Sequence, residues 1–147
     1  MHTPSSASPS IEVIRAAASD WPLLAEFYAR QFTERPRLND ADTWRWEFLE
    51  QPGATRPVPC FVLKVDGRIE GAVGYLQFGL RAGATDFDAI HPVNYFVNPR
   101  YKGLPALRLF RAILGEGRIV IGSYVSADAQ RLLDKSGFID FGAHRRI

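Results

Sequence analysis

The stretch Val97-Asn98-Pro99-Arg100-Tyr101-Lys102-Gly103-Leu104-Pro105-Ala106 gathers the residue types that hold an anion. A β-like run, His91 to Val97, ends in a tight basic loop. The loop flows into a helix with Leu104, Leu107, Phe110, Ile113 and Leu114 on one face and Arg108 and Arg111 elsewhere on its circumference. N–H groups in the first turn of a helix have no intrahelical partner, and the helix dipole favours negative charge there. Arg100 and Lys102 add charge, and Gly103 lets a ligand approach the backbone without a Cβ in the way. Pro105 is the flaw in this cradle, because it has no N–H to donate. One charge-assisted bond fewer costs about 1.5–3 kcal/mol of anion binding. The competing reading is that Pro105 only starts the helix, at a position proline favours.

Proton-transfer chemistry has fewer candidates. His91 has the side chain whose ordinary pKa suits a general base near neutrality, and by period two it shares a strand face with Val93, Tyr95 and Val97. It also precedes Pro92, where it could simply edge the strand. Asn94 lies on the same strand, and Asp86 and Asp88 read as solvent residues near its turn. Tyr124, on a short apolar run from Arg118 to Val125, could supply a proton, although a buried strand tyrosine is more often core. No spacing of His, Cys, Asp and Glu makes a metal site. The one cysteine, Cys60, excludes an internal disulfide and reads as a buried thiol beside a strand.

The elements that must position these groups follow from pattern. The 147 residues are one domain's worth of chain, and 46% hydrophobic with 23% charged is an ordinary globular balance. A formal charge of +2 does not argue for nucleic acid, and no apolar run is long enough to span a membrane. Residues 1–10 are rich in Ser and Pro, lack the regions of a signal peptide, and read as a disordered leader on a cytoplasmic protein. A single domain over 11–147 then follows. Ile11 to Arg15 is a strand. A helix carries Leu23, Leu24, Phe27 and Tyr28, and a second, Thr43 to Glu50, is capped by Asp40 or Asp42. From Cys60 the period is two: Phe61, Leu63 and Val65 lead to an Asp66-Gly67 hairpin turn and a return strand, Ile69 to Leu80. Gly71, Gly74 and Gly79 suggest bends or a bulge in that strand. Phe87 to Val97 is the next strand. After the third helix, Ser126 caps a fourth that ends at Gly137, and Phe138 to Ile147 reads as a last strand.

This order, with the basic loop at the fourth strand, resembles the GCN5-related N-acetyltransferase (GNAT) superfamily across nearly the whole chain. Val97-x-Pro99-x-Tyr101-Lys102-Gly103 is similar to that family's V-x-P-x-x-R-G entry to its acetyl-CoA pyrophosphate loop. Ser126-x-x-Ala129-x-x-Leu132-Leu133-x-Lys135-x-Gly137-Phe138 is similar to its N-x-x-A-x-x-L-Y-x-K-x-G-F helix. The Asp66-Gly67 hairpin and the Gly71-to-Gly74 strand are a third, weaker match. The implied fold class is α/β (α+β): a mixed, mostly antiparallel central sheet flanked by about four helices.

The resemblance also implies a reaction, direct acyl transfer from acetyl-CoA as co-substrate to a small amine or amino sugar. The pantetheine arm would lie along Phe96 and Val97. The pyrophosphate would lie on Arg100, Tyr101, Lys102, Gly103, Leu104, Pro105, Ala106 and Leu107. His91 and Tyr124 are the candidates for base and acid, because the family's usual acid tyrosine falls on Leu133. Leu133 and Pro105 are departures that leave room for an alternative, a weak or inactive CoA-binding module acting through a partner. The first two helices and their link, Phe32 to Trp46, would wall the acceptor side, with Arg35, Arg37, Arg45, Trp44 and Trp46 available. A short last strand would leave a sheet edge for a homodimer or a further domain.

Overall fold

A computed structural model describes residues 8–34, 40–50, 58–116, 119–123 and 125–142. Its strands are β1 (Ile11–Arg15), β2 (Cys60–Val65), β3 (Arg68–Ala82), β4 (Thr85–Val97) and β5 (Ile119–Val120). Its helices are α1 (Trp21–Gln31), α2 (Ala41–Arg45), α3 (Leu104–Leu114) and α4 (Ala127–Lys135). The strands form a sheet in the order β1-β2-β3-β4-β5. Each of the first four pairs antiparallel with the next, and β5 runs parallel to β4. The mixed, mostly antiparallel sheet and its flanking helices agree with the fold class expected from sequence.

Local chemistry fixes the corners. Asp66 and Gly67 both have positive φ (49° and 80°), which the hairpin turn between β2 and β3 requires. Ser10 accepts from the Asp66 N–H through its carbonyl and donates its own N–H to Oδ1 of that residue, both at 2.9 Å, so order extends at least to Ser10. Asp40 caps α2 by accepting from the Thr43 N–H at 2.9 Å. Ser126 caps α4 by accepting from the Ala129 N–H at 3.2 Å, and Gly137 follows its end at φ 82°.

The sheet separates two cores, because alternate residues of a strand face opposite ways. On one face Leu24, Phe27 and Tyr28 of α1 and Trp44 and Phe48 pack on Val62 and Ala72. On the other, Leu109, Phe110 and Ile113 of α3 and Leu133 of α4 pack on Leu63, Val73 and Ile90. Gly71 and Gly74 serve these contacts. A Cβ on Gly71 would stand 3.1–3.2 Å from Val97, Leu109 and Leu63, and a Cβ on Gly74 would clash with two carbons of the Phe48 ring.

Bulges border both glycines, as the sequence suggested for this strand. Between the pairs Ala72↔Phe96 and Gly74↔Val93, β4 carries one more residue than β3, which places the extra residue at Asn94-Tyr95. Between Leu63↔Gly71 and Lys64↔Ile69 the extra residue is Glu70 of β3.

Three other expectations change. The second helix is split: α2 stops at Arg45 and a wider, π-type turn follows over Trp46–Glu50. Of the strand expected over Arg118 to Val125, Ile119 and Val120 are the residues that pair with β4 among those described. Residues 138–142 of the expected last strand are not in a strand, and 143–147 lie outside the described residues.

Gly74→Ala should lower stability by about 1–3 kcal/mol through overpacking, measured as a shift in urea midpoint. The loss in Gly74→Ala/Phe48→Leu should be smaller than the sum of the single losses, since the smaller side chain vacates the space. Additive losses would mean that Phe48 does not fill the gap above Gly74.

Candidate functional site

Parallel pairing of β4 and β5 ends almost as soon as it begins. The last backbone bond between them runs from the Ile121 N–H to the Ile90 carbonyl at 2.9 Å. From there to Val97, β4 keeps β3 on one side, and no described strand pairs with its other edge. An open cleft of about 1360 Å³ fills the gap. Backbone N–H and C=O groups along such an edge need partners, so the edge is suited to an extended ligand with amides of its own.

At the wide end stands the basic loop. Glu70, the bulged residue of β3, anchors it: the Asn98 N–H donates to the Glu70 carbonyl and Asn98 Nδ2 to Glu70 Oε2, both at 2.8 Å. Asn98 Oδ1 in turn accepts from the Arg100 N–H at 3.1 Å. Gly103 caps α3 at φ 102°, ψ −132°, a backbone state that side chains rarely allow. The first helical bond runs from the Leu107 N–H to the Gly103 carbonyl at 2.9 Å. Helix geometry leaves the N–H groups of Leu104 and Ala106 without an intrahelical partner, while Pro105 between them has none. Tyr95 on β4 holds this turn in place, its hydroxyl donating to the Ala106 carbonyl at 3.1 Å. Burial pushes that phenol up to about 12, so it remains a donor.

Of the residues expected around the cofactor, Phe96, Val97, Lys102, Gly103, Ala106 and Leu107 line the cleft. Arg100, Tyr101, Leu104 and Pro105 are not in its lining. The Arg100 guanidinium lies 5.9 Å from the Tyr101 ring, Tyr101 packs on the α3-side core, and Leu104 is exposed. The wide end gains cations that sequence spacing did not single out: Arg111, Arg131 and Lys135 line it together with Lys102. Asp128 is the carboxylate among them. It pairs with Arg131, and with Lys102 at 3.6 Å, and these partners hold it below the usual carboxylate range.

At the narrow end, where β4 and β5 diverge, His91 lines the cleft with Nε2 3.0 Å from Ser123 Oγ. Burial lowers its pKa, so the imidazole is neutral at pH 7. Tyr124 lies outside the described residues. Leu133 is in the core, and α4 turns Ala129, Leu132 and Ser136 to the cleft instead.

The α1–α2 wall contributes Phe32 and Glu47. Glu47 was not singled out by sequence, and no spacing rule pointed to it. Of the acceptor-side residues expected from sequence, Trp44 is buried, Trp46 is exposed and Arg45 pairs with Asp42 at 3.2 Å. Arg35 and Arg37 lie outside the described residues.

Solved structures share this architecture. An aminoglycoside N-acetyltransferase, AAC(6')-Iy, in complex with CoA superposes with a TM-score of 0.70 at 15% identity, covering 97% of this chain and 95% of that one. A ribosomal-protein-alanine N-acetyltransferase from Brucella melitensis biovar Abortus 2308 gives 0.63 at 18% identity, covering 94% and 98%. An aminoglycoside acetyltransferase, HMB0005, from an uncultured soil metagenomic sample gives 0.68 at 15%, covering 94% and 97%. This chain has the GNAT fold. Neither a family sequence model nor a curated protein sequence matches it. In this GNAT fold the sequence motifs fall on the end of β4 with its basic loop, on α4, and on the β2–β3 hairpin.

Because burial depresses the His91 pKa in the folded chain, the unfolded chain binds this proton more tightly. Its contribution to stability is therefore present above the ordinary value of 6.5 and lost as pH falls through the lower folded-state value. His91→Gln removes the titration and keeps an amide for Ser123. Between neutrality and about pH 5, Tm should fall less steeply in the variant than in wild type. Equal slopes would remove His91 as a source of the acid sensitivity.

Proposed function

We propose that this protein is an acyl-CoA-dependent N-acyltransferase that transfers an acetyl group from acetyl-CoA to a small amine or amino sugar. The observation that carries this reading is the free edge of β4 leading directly to a helix N-terminus ringed by cations. A CoA thioester has a chemistry to match each part. Its pantetheine amides suit the unpaired edge at Phe96 and Val97. Its phosphates suit the N–H groups of Leu104 and Ala106 and the side chains of Lys102, Arg111, Arg131 and Lys135. The loss of one donor at Pro105 is offset by cations that the α3 and α4 side chains add.

The reaction is direct attack of an amine on the thioester carbonyl. A backbone N–H exposed by the bulge at Asn94-Tyr95 would stabilise charge on the carbonyl oxygen, as oxyanion donors do. A thiolate leaves readily near neutrality, so the leucine at position 133 is compatible with turnover. The amino-sugar acceptor class is supported by the aminoglycoside enzymes of the same fold. One of these is known in complex with a bisubstrate analogue, CoA-S-monomethyl-acetylneamine.

Acetyl-CoA should raise Tm, since a ligand that binds only the folded state stabilises it by about 2.7 kcal/mol at a hundredfold excess over Kd. For a domain of this size that is a rise of roughly 5–10 °C. Gly103→Asp should abolish the rise, because it strains the φ of 102° and sets a carboxylate where the phosphates would lie. No rise in wild type at millimolar acetyl-CoA would falsify the proposal. An unchanged rise in Gly103→Asp would move the phosphates to another part of the cleft.

A further inference from the structure

The acyl-CoA reading leaves the acceptor and its proton unassigned, and the α1–α2 wall offers a group for both. Glu47 lines the cleft beside Phe32. It is set on the π-type turn over Trp46–Glu50, in which Phe48 is driven inward over Gly74. Departures of this kind from regular helix recur at functional sites. Asn94 Nδ2 donates to Glu47 Oε2 at 3.4 Å. Asn94 belongs to the β4 bulge, sits at φ 53°, and has its carbonyl held by the Tyr28 hydroxyl at 3.2 Å. The carboxylate is thus tied, through one residue, to the point where the free edge of β4 is deformed.

We propose that Glu47 binds the acceptor as an alkylammonium ion and takes its proton, with Asn94 as the residue that positions the carboxylate. This rests on the acyl-CoA reading above. Glu47 accepts one proton from the ammonium. The freed nitrogen forms a bond to the thioester carbonyl carbon, the C–S bond breaks, and the departing thiolate takes up the second proton that the nitrogen sheds. The products are an amide, CoA thiol and a protonated Glu47 that returns its proton to water.

The surroundings suit a base. Burial raises the Glu47 pKa, and the Asn94 amide opposes this with a smaller lowering. Of the titratable groups around it, Tyr28 on α1 is pushed well above its ordinary value by burial. The Cys60 thiol on β2 is pushed up to about 12. His91, farther along the cleft on β4, is neutral at pH 7. Tyr28 and Cys60 are therefore uncharged near neutrality.

The test uses the full chain, acetyl-CoA, and neamine, glucosamine, spermidine and ethanolamine as acceptors. Thiol release is followed against pH, with the acetyl-CoA-induced Tm rise measured on every variant. Glu47→Gln should lower kcat/KM by about 10²–10⁴-fold, the range for loss of a general base, and keep the Tm rise. Asn94→Gly retains the positive φ and removes the amide, so the acidic limb of the pH profile should move to higher pH. A Glu47→Gln variant with wild-type rate overturns the proposal. So does a limb that is lost in His91→Gln but kept in Glu47→Gln, which would give the proton to His91. Turnover of none of the four amines, with the wild-type Tm rise intact, overturns the alkylammonium assignment alone. Absence of the Tm rise in wild type overturns the acyl-CoA reading beneath it.

Discussion

The constraint on which the rest of the structure depends is the unfinished ladder between β4 and β5. The two strands share one short parallel pairing at Ala89–Ile90 and Ile119–Val120, and then part. A strand edge beside a hydrophobic core normally has a partner, because each net backbone hydrogen bond is worth about 1 kcal/mol and an unmade one in a dry site costs more. This edge instead lines open space. The bulge at Asn94-Tyr95 contributes to the parting, since an extra residue sharpens local twist and bends its strand. Tyr28 then pins the bulge from α1, and His91 spans the start of the gap to Ser123.

An open edge is useful only if its two walls hold still, and the wall containing α3 is fixed at both ends. At its first turn Tyr95 bonds to the Ala106 carbonyl. Just past its last turn Glu116 meets Arg15 of β1 at 2.6 Å and accepts from the Tyr75 hydroxyl of β3 at 2.9 Å. Arg15 also donates to Tyr75 and to the Val58 carbonyl, and it stacks 4.4 Å from the centre of the Phe61 ring. Such a network exceeds an isolated surface ion pair, because each member has several partners and part of its surface is covered. Gly71 completes the arrangement by letting Leu109 settle close on the sheet. Both ends of α3 are therefore held by the protein's own contacts, and preorganisation of this kind lowers the cost of binding.

Sequence carried the frame of this design well. Period-two runs, the Asp66-Gly67 turn, the Ser126 cap and the Gly103 entry to α3 are local chemistry, and local chemistry is written in adjacent residues. Parts that depend on two distant segments were not legible. Gly71 and Gly74 read as bends or a bulge, and a bulge does lie at Glu70, but a glycine in a strand does not announce the side chain that will lie over it. Arg111, Arg131 and Lys135 were not singled out, because only the tertiary placement of α3 and α4 brings them into one lining. Glu47 left least trace. Its orientation depends on the π-type turn, and that turn accompanies the seating of Phe48 above Gly74 in another element.

The charge layout of the cleft bears on how two unlike substrates could share it. The cations cluster around the loop, α3 and α4, whereas Glu47 stands on the opposite wall, near the bulge. From Val97 to Asn94 is three residue steps, about 10 Å of strand at the usual rise. That is comparable to the screening length of about 8 Å at physiological salt. Separation along the cleft reduces both the repulsion between a carboxylate at Glu47 and an anion at the loop and that between the loop cations and an ammonium beside Glu47. The length of free β4 between loop and bulge thus does two things at once. Under the proposed function it would match an extended arm, and it would hold an anionic donor and a cationic acceptor in separate fields until the reacting atoms meet at the bulge.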